Sequence, residues 1–555
     1  MRAFSVLSSC LLIASSLVGS SRAAPYDAEE WVQYDKRATT QVIPHFANRT
    51  SKVVRGVNLG GWFVLEAWMN PSFFTSDLTA KGAIDQWTFM TAVNNNTRAL
   101  SLLQTHWSTW VNESDFTAIA AAGLNTVRIP VPHWTFNGSS TEPYLAGAEL
   151  KYIQQAVTWA AKHNLDVLLD LHTAPGSQNG FDNSGRMGNA TFESINPTVN
   201  AARMYSALQS MVNLFINTNT YSGAVKAIEI LNEPACYLLD PNYVIGVYSS
   251  AYKAIRATVK STAPVYPTII MHDCFIAPLS GIYAALDSLA LTSGSYAVDT
   301  HRYTAFYPVA QQLGNNNTAH INYICGMQPE IVGAYSKFPM IVGEWSLAVA
   351  CDNCSYATMA QSVASQNNPT NISFYRQFFE AQTTTYEMGG GWIFWNWKTE
   401  TAATWSYQTG LAQGWIPQNP TTRVFKQVNN CPTTTMTSSV TFGTTSNSTT
   451  TANKSVVATS GKTTTTSSAK VSTSTGKTTT SKQKVPTKVA TLAKFNDLSF
   501  KLLSPNTNVT INNMGTTTGV LQKLIPPITP LQQFNINSTY FPYLAKSTFG
   551  KGIWH

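Results

Sequence analysis

Two glutamates, Glu233 and Glu344, stand directly after apolar runs, Ala227–Leu231 and Met340–Gly343. Other residues able to do chemistry share that placement. Glu66 follows Val53–Leu59, Arg128 lies near the end of Thr126–Pro130, and His172 follows Val167–Leu171. Asp299-x-His301-x-Tyr303 closes Tyr296–Thr300, and Trp395 ends Trp392–Trp395. Only 12% of the 555 residues are charged, about half the usual share for soluble domains, so solubility is a poor explanation for acids at these points. Two carboxyl groups about 5–5.5 Å apart can cleave a glycosidic bond with retention, one attacking the anomeric carbon while the other protonates the leaving oxygen. In that reading Glu233 is the acid/base, its pKa raised by the charge of Glu344, and Arg128 keeps Glu344 ionised. Asn232 would bond the sugar 2-hydroxyl, a contact that strengthens in the transition state. Taken singly, each acid also reads as a salt bridge or strand-end cap.

These side chains need a frame that gathers strand ends. The apolar runs, with Thr268–Met271 between the fourth and sixth, alternate with the helix-like stretches Ala118–Ala122, Leu150–Lys162, Ala201–Phe215 and Tyr243–Ala257. Eight strands alternating with helices over about 390 residues predict an α/β fold, a (β/α)8 TIM barrel with its site at the C-terminal strand ends. A doubly wound open sheet is disfavoured, because Gly56-x-x-x-Gly60-Gly61 after the first strand has neither phosphate-binding glycine spacing.

Composition divides the chain further. Hydrophobic residues make up 44%, ample for a large core. Residues 1–23 read as a secretory signal peptide, and the dibasic Lys36-Arg37 reads either as the end of a propeptide over 24–37 or as two surface charges. A catalytic domain is expected over 38–431. Residues 432–487 are Ser/Thr-dominated and read as an O-glycosylated linker, and 488–555 form a basic tail without assigned fold. The net charge is +8, but twelve lysines and one acid from Cys431 onward carry +11 and leave the rest at −3. No basic footprint for nucleic acid remains, and no later run is long enough to span a membrane. Asn-x-Ser/Thr acceptors recur at Asn48, Asn95, Asn112, Asn137, Asn189, Asn316, Asn353, Asn371, Asn447, Asn453, Asn508 and Asn537, fitting a glycosylated export. Six cysteines outlast the signal peptide and allow fifteen full pairings. Cys351-x-x-Cys354 lacks the second ligand pair of a zinc site.

Leu231-Asn232-Glu233-Pro234 with Val342-Gly343-Glu344-Trp345 resembles glycoside hydrolase family 5. Arg55–Trp62, Asp170–Gly185, His301-x-Tyr303 and Gly391–Glu400 resemble its fungal exo-β-1,3-glucanases over residues 50–431. The resemblance implies Glu233 as proton donor and Glu344 as nucleophile. It places Arg128, His172, Asn232, His301 and Tyr303 around the reacting sugar, with Trp395 stacking beneath it. Glu66, Asp182 and Asn183 would bond its outer hydroxyls, and Phe181 and Phe306 would clamp the entrance. Trp68 departs from the family tyrosine near the site, and the loop after Glu344 is shortened. The resemblance also implies a Cys325–Cys431 disulfide; Cys236–Cys274, at adjacent strand ends, and Cys351–Cys354 are the remaining expected pairs. The expected protein is a secreted, extracellular or wall-associated monomer acting on β-glucan, with no metal or cofactor and no nucleic-acid or membrane partner. An endo-β-1,3- or β-1,6-glucanase, or a non-catalytic wall-binding protein, are the alternatives.

Overall fold

The computed structural model describes residues 46–48 and 52–437, apart from 277–278, 288, 290, 292–294, 307 and 350–368. The expected signal peptide, propeptide, tail and most of the linker lie outside the described residues. Eight strands, β1 (Val54–Asn58), β2 (Thr126–Val131), β3 (Asp166–Leu171), β4 (Val225–Glu229), β5 (Thr268–His272), β6 (Tyr296–His301), β7 (Met340–Glu344) and β8 (Gly391–Phe394), close in order into a barrel. Every neighbouring pair is parallel, β8 returning to β1. Both faces of such strands are covered, which is why they read as nearly continuous apolar runs rather than as alternating ones.

The barrel helices are α1 (Glu113–Ala121), α2 (Leu150–Lys162), α3 (Pro197–Met211), α4 (Pro241–Thr258), α5 (Ser280–Asp287), α6 (Gln328–Tyr335), α7 (Pro369–Tyr386) and α8 (Tyr407–Gln413). Helix α2 has the expected bounds. Helix α3 starts earlier than expected because Pro197 occupies its first turn, where the missing N–H costs nothing.

Side-chain alternation along the strands sets the site. Val54, Leu168, Ala227, Ile270, Ala297, Ile341 and Ile393, from every strand but β2, pack together with Phe46 and Ala47, which residues from so many strands can do only inside the barrel. Two residues further along, the same inward face carries Asp170, Glu229, His272, Asp299 and Gly343. An apolar layer therefore floors a buried polar one.

Two expectations are corrected here. The linker does not begin at 432: β9 (Phe425–Val428) and β10 (Cys431–Met436) form an antiparallel pair, and the Pro432 carbonyl accepts from Gln377 on α7. The β-branched threonines 433–435 suit a strand as well as a stalk. Cys325 and Cys431 are bonded, but Cys236 and Cys274 are separate buried thiols. Cys274 has a left-handed backbone, its N–H donates to His272 Nδ1, and its sulfur lies 3.8 Å from the Tyr248 hydroxyl. Cys351 and Cys354 lie outside the described residues.

Candidate active site

Arg128 on β2 is the centre of the polar layer and wholly buried. Its Nε donates to Glu229 at 2.8 Å, one terminal nitrogen to Asn58 at 3.0 Å and Glu344 at 2.9 Å, and the other to Asn232 at 2.8 Å. That last nitrogen also lies 3.1 Å from Asp170. One guanidinium thus binds groups from four other strands or strand ends. The expectation that it simply keeps Glu344 ionised needs correcting, since a single cation is shared among three carboxyls. Burial pushes the Glu344 carboxyl up, against the pull of His301 and Arg128. Burial likewise pushes Glu229 well up, against the pull of Arg128.

Glu344 ends β7, and its second oxygen accepts from the Tyr303 hydroxyl at 2.9 Å. Glu233 sits four residues beyond β4, in a turn with φ 44°, where its side chain points back over the barrel. The turn is held from the β3 loop: Gln178 donates to the His172 and Asn232 carbonyls, and Asn179 donates to the Glu233 carbonyl. His301 joins the two acids, its Nδ1 lying 2.5 Å from Glu233 and 3.4 Å from Glu344. Two oxygens in contact with one nitrogen at those distances are at most about 6 Å apart, inside the spacing that leaves room for an intervening water and close to that of direct attack. Burial opposes a charge on His301, but Glu344, Glu233 and Asp299 outweigh it and push the imidazole well up.

Glu66, Trp68, Asn183 and Phe306 line the same cavity as Glu233, Tyr303, Glu344 and Trp395. His172 stacks on Trp395 with ring centroids 5.6 Å apart and bonds Asp170 through Nδ1. Trp68 donates to Glu66, and burial together with nearby Asp182 pushes Glu66 well up. Asn183 donates to Glu233 Oε2 at 3.0 Å, so it holds the acid as well as facing the cavity. Phe181 is half-buried on the same loop. Glu66 Oε1, Asn232 Nδ2 and His172 Nε2 are among the buried polar atoms that have no partner among the described residues. Buried groups of this kind are rarely left unpaired, and a polyhydroxylated ligand would supply what they lack.

Glu233, His272 and His301 each place one ligating atom within 4.8 Å of the others, as do Glu229, Asp299 and His301. Glu233 is already bonded to His301, and Arg128 to Glu229. His272 Nδ1 accepts from Cys274. These bonds engage Glu233, His301, Glu229 and His272 with protein partners.

Residues 90–401 match the family model described as cellulase, glycosyl hydrolase family 5. A glucan 1,3-beta-glucosidase of Blumeria graminis is 34% identical over 394 residues, covering 66% of this chain and 87% of that protein. The chain belongs to glycosyl hydrolase family 5. A probable glucan 1,3-beta-glucosidase A of Aspergillus niger is a second relative, 33% identical across 75% of this chain and 97% of its own length. Among solved structures, the rutinosidase from Aspergillus niger superposes with a TM-score of 0.55 at 19% identity, over 68% of this chain and 99% of that one. That likeness speaks for the fold alone.

Sequence reasoning missed part of this family 5 site. Trp405 lines the cavity and meets Trp68 edge-on at 5.3 Å. Asn58 spans Arg128 and the Gly343 carbonyl. Asp170 and Glu229 were hidden inside runs read as apolar, although stepping by two from Leu168 and Ala227 would have found them.

Proposed function

We propose that the chain is a retaining, exo-acting β-1,3-glucosidase that releases glucose from the non-reducing ends of β-1,3-glucan. Glu344, with one oxygen on Arg128 and the other on Tyr303, attacks the anomeric carbon. Glu233 gives its proton to the leaving oxygen, then takes one from the water that cleaves the glycosyl-enzyme. Asn232 Nδ2 donates to the sugar 2-hydroxyl, His172 and Glu66 take other hydroxyls, and Trp395 forms the apolar floor. Asp182 and Asn183 close the outer side, and Phe181 and Phe306 flank the entrance. The observation that carries this reading is the shared contact of Glu233 and Glu344 with His301, which brings one oxygen of each acid within about 6 Å of the other. The identity to glucan 1,3-beta-glucosidases supports the linkage. Export to the cell exterior or wall is supported by the apolar run behind Met1-Arg2 and by exposed acceptors Asn95, Asn112, Asn189 and Asn316.

The test is laminarin hydrolysis followed by NMR of the nascent sugar. β-Glucose as the first and sole product is expected from the wild type, and no turnover from Glu233→Gln or Glu344→Gln. An α-anomer, early mixed oligomers, or near-normal activity in either variant would overturn the reading.

A further inference from the structure

We propose that Asp299, on β6, is a positioning residue for this reaction, holding His301 as an imidazolium in the orientation that serves both reacting carboxyls. The proposal rests on the assignment of Glu233 and Glu344 above. Asp299 Oδ1 accepts from the N–H of Gly343 at 2.6 Å, the residue just before Glu344. Its Oδ2 has no hydrogen-bond partner among the described residues and lies 3.6 Å from His301 Nε2. That nitrogen is likewise buried and unpartnered among the described residues. The space for this carboxylate is made by Gly343, where a Cβ would fall 1.9 Å from Asp299 Oδ2. A glycine before the nucleophile is therefore required by Asp299, and Asp299 ties the nucleophile's strand to the histidine.

The surroundings of His301 give the pairing its purpose. Glu233 faces it from the turn after β4, Glu344 from β7 and Asp299 from its own strand. His272 on β5 meets it edge-on at 4.5 Å; burial and the charge of His301 keep that ring neutral. Arg128 on β2 and Glu229 on β4 close the layer beneath, and Tyr303 bonds Glu344 alongside. When Glu233 passes its proton to the glycosidic oxygen it becomes an anion, and an adjacent imidazolium stabilises that anion while keeping its own proton. Asp299, 3.6 Å from Nε2, offsets the cost of burying the imidazolium. Glu344 keeps Arg128 and Tyr303 without it, so the main effect of Asp299 falls on the step that needs an acid.

Asp299→Asn keeps an acceptor for Gly343 N–H and removes the charge; Gly343→Ala keeps the charge and displaces it. Each is compared with wild type on laminaribiose, whose leaving group needs a proton, and on 2,4-dinitrophenyl β-glucoside, whose leaving group does not. In either folded variant kcat/KM should fall about 10- to 100-fold on the first and less than about threefold on the second, a fraction of the 10²- to 10⁴-fold that general acids supply. The alkaline limb on laminaribiose should also move to lower pH. Equal losses on both substrates, or an unmoved pH profile, would overturn the proposal while leaving Glu233 and Glu344 standing if their glutamine variants are dead. Should neither variant fold, histidine-labelled NMR of the wild type decides: His301 must be an imidazolium at pH 7, and a neutral ring there ends the argument.

Discussion

Glu149, a side chain the reaction does not use, should make this protein less stable as the medium turns from acid to neutral. It stands just before α2, 1% exposed, with the Thr135 hydroxyl donating to it. Burial pushes its carboxyl from 4.5 up to about 7. Below pH 4.5 both folded and unfolded chains carry the proton, and the contribution is complete. Between 4.5 and 7 only the folded chain does, so stability falls with rising pH, and above 7 the loss is full. At 1.36 kcal/mol per unit the difference amounts to about 3 kcal/mol. Glu149→Gln keeps an acceptor for Thr135 and removes the titration. The variant should match wild type at pH 4 and exceed it by about 3 kcal/mol at pH 8, roughly 4 °C in melting temperature for a domain of this size. Urea denaturation of both proteins at the two pH values measures this, other carboxyls cancelling in the comparison. A difference between the proteins that is the same at pH 4 and pH 8 would refute the reasoning.

Arg128→Gln should cost about 3–5 kcal/mol, because it strands buried carboxyls without a cation, and should abolish turnover; a melting temperature near wild type would contradict this. Gly60→Ala places a methyl 2.6 Å from the Trp395 ring, so KM should rise with the fold retained, as circular dichroism and kinetics together report; unchanged KM would show that the ring's position is unimportant. Cys325→Ser opens a loop of 106 residues and should lower stability by about 4–5 kcal/mol; an unmoved denaturation midpoint would contradict this.

The barrel was legible in the sequence because its strands are buried on both faces, leaving apolar runs such as Val167–Leu171 that mark their own positions. The reacting acids were legible because Glu233 and Glu344 break a charge-poor chain just where such runs stop. Glu229 was not: it occurs within a run, and averaging over a run hides an inward residue whose charge a neighbouring strand compensates. Strand β4 ends at Glu229, so Glu233 belongs to a turn held by Gln178 and Asn179, contacts between loops that no local pattern announces. Trp405 reaches the cavity from beyond the last barrel strand, a distance in sequence that only folding closes. Thr433–Thr435 misled because a threonine run serves an edge strand and an extended stalk alike.

Arg128 holds Glu344 from below, in a layer of strand residues, whereas Glu66, Trp68 and Asn183 line the cavity from loops above. On the proposed roles, bond breaking rests on the strands and substrate choice largely on the loops. Exchanging residues 66–68, with Asn183 kept because it holds Glu233, would retarget the scaffold to a different saccharide without rebuilding the reaction, and a library confined to those positions would keep its chemistry as it changed its diet.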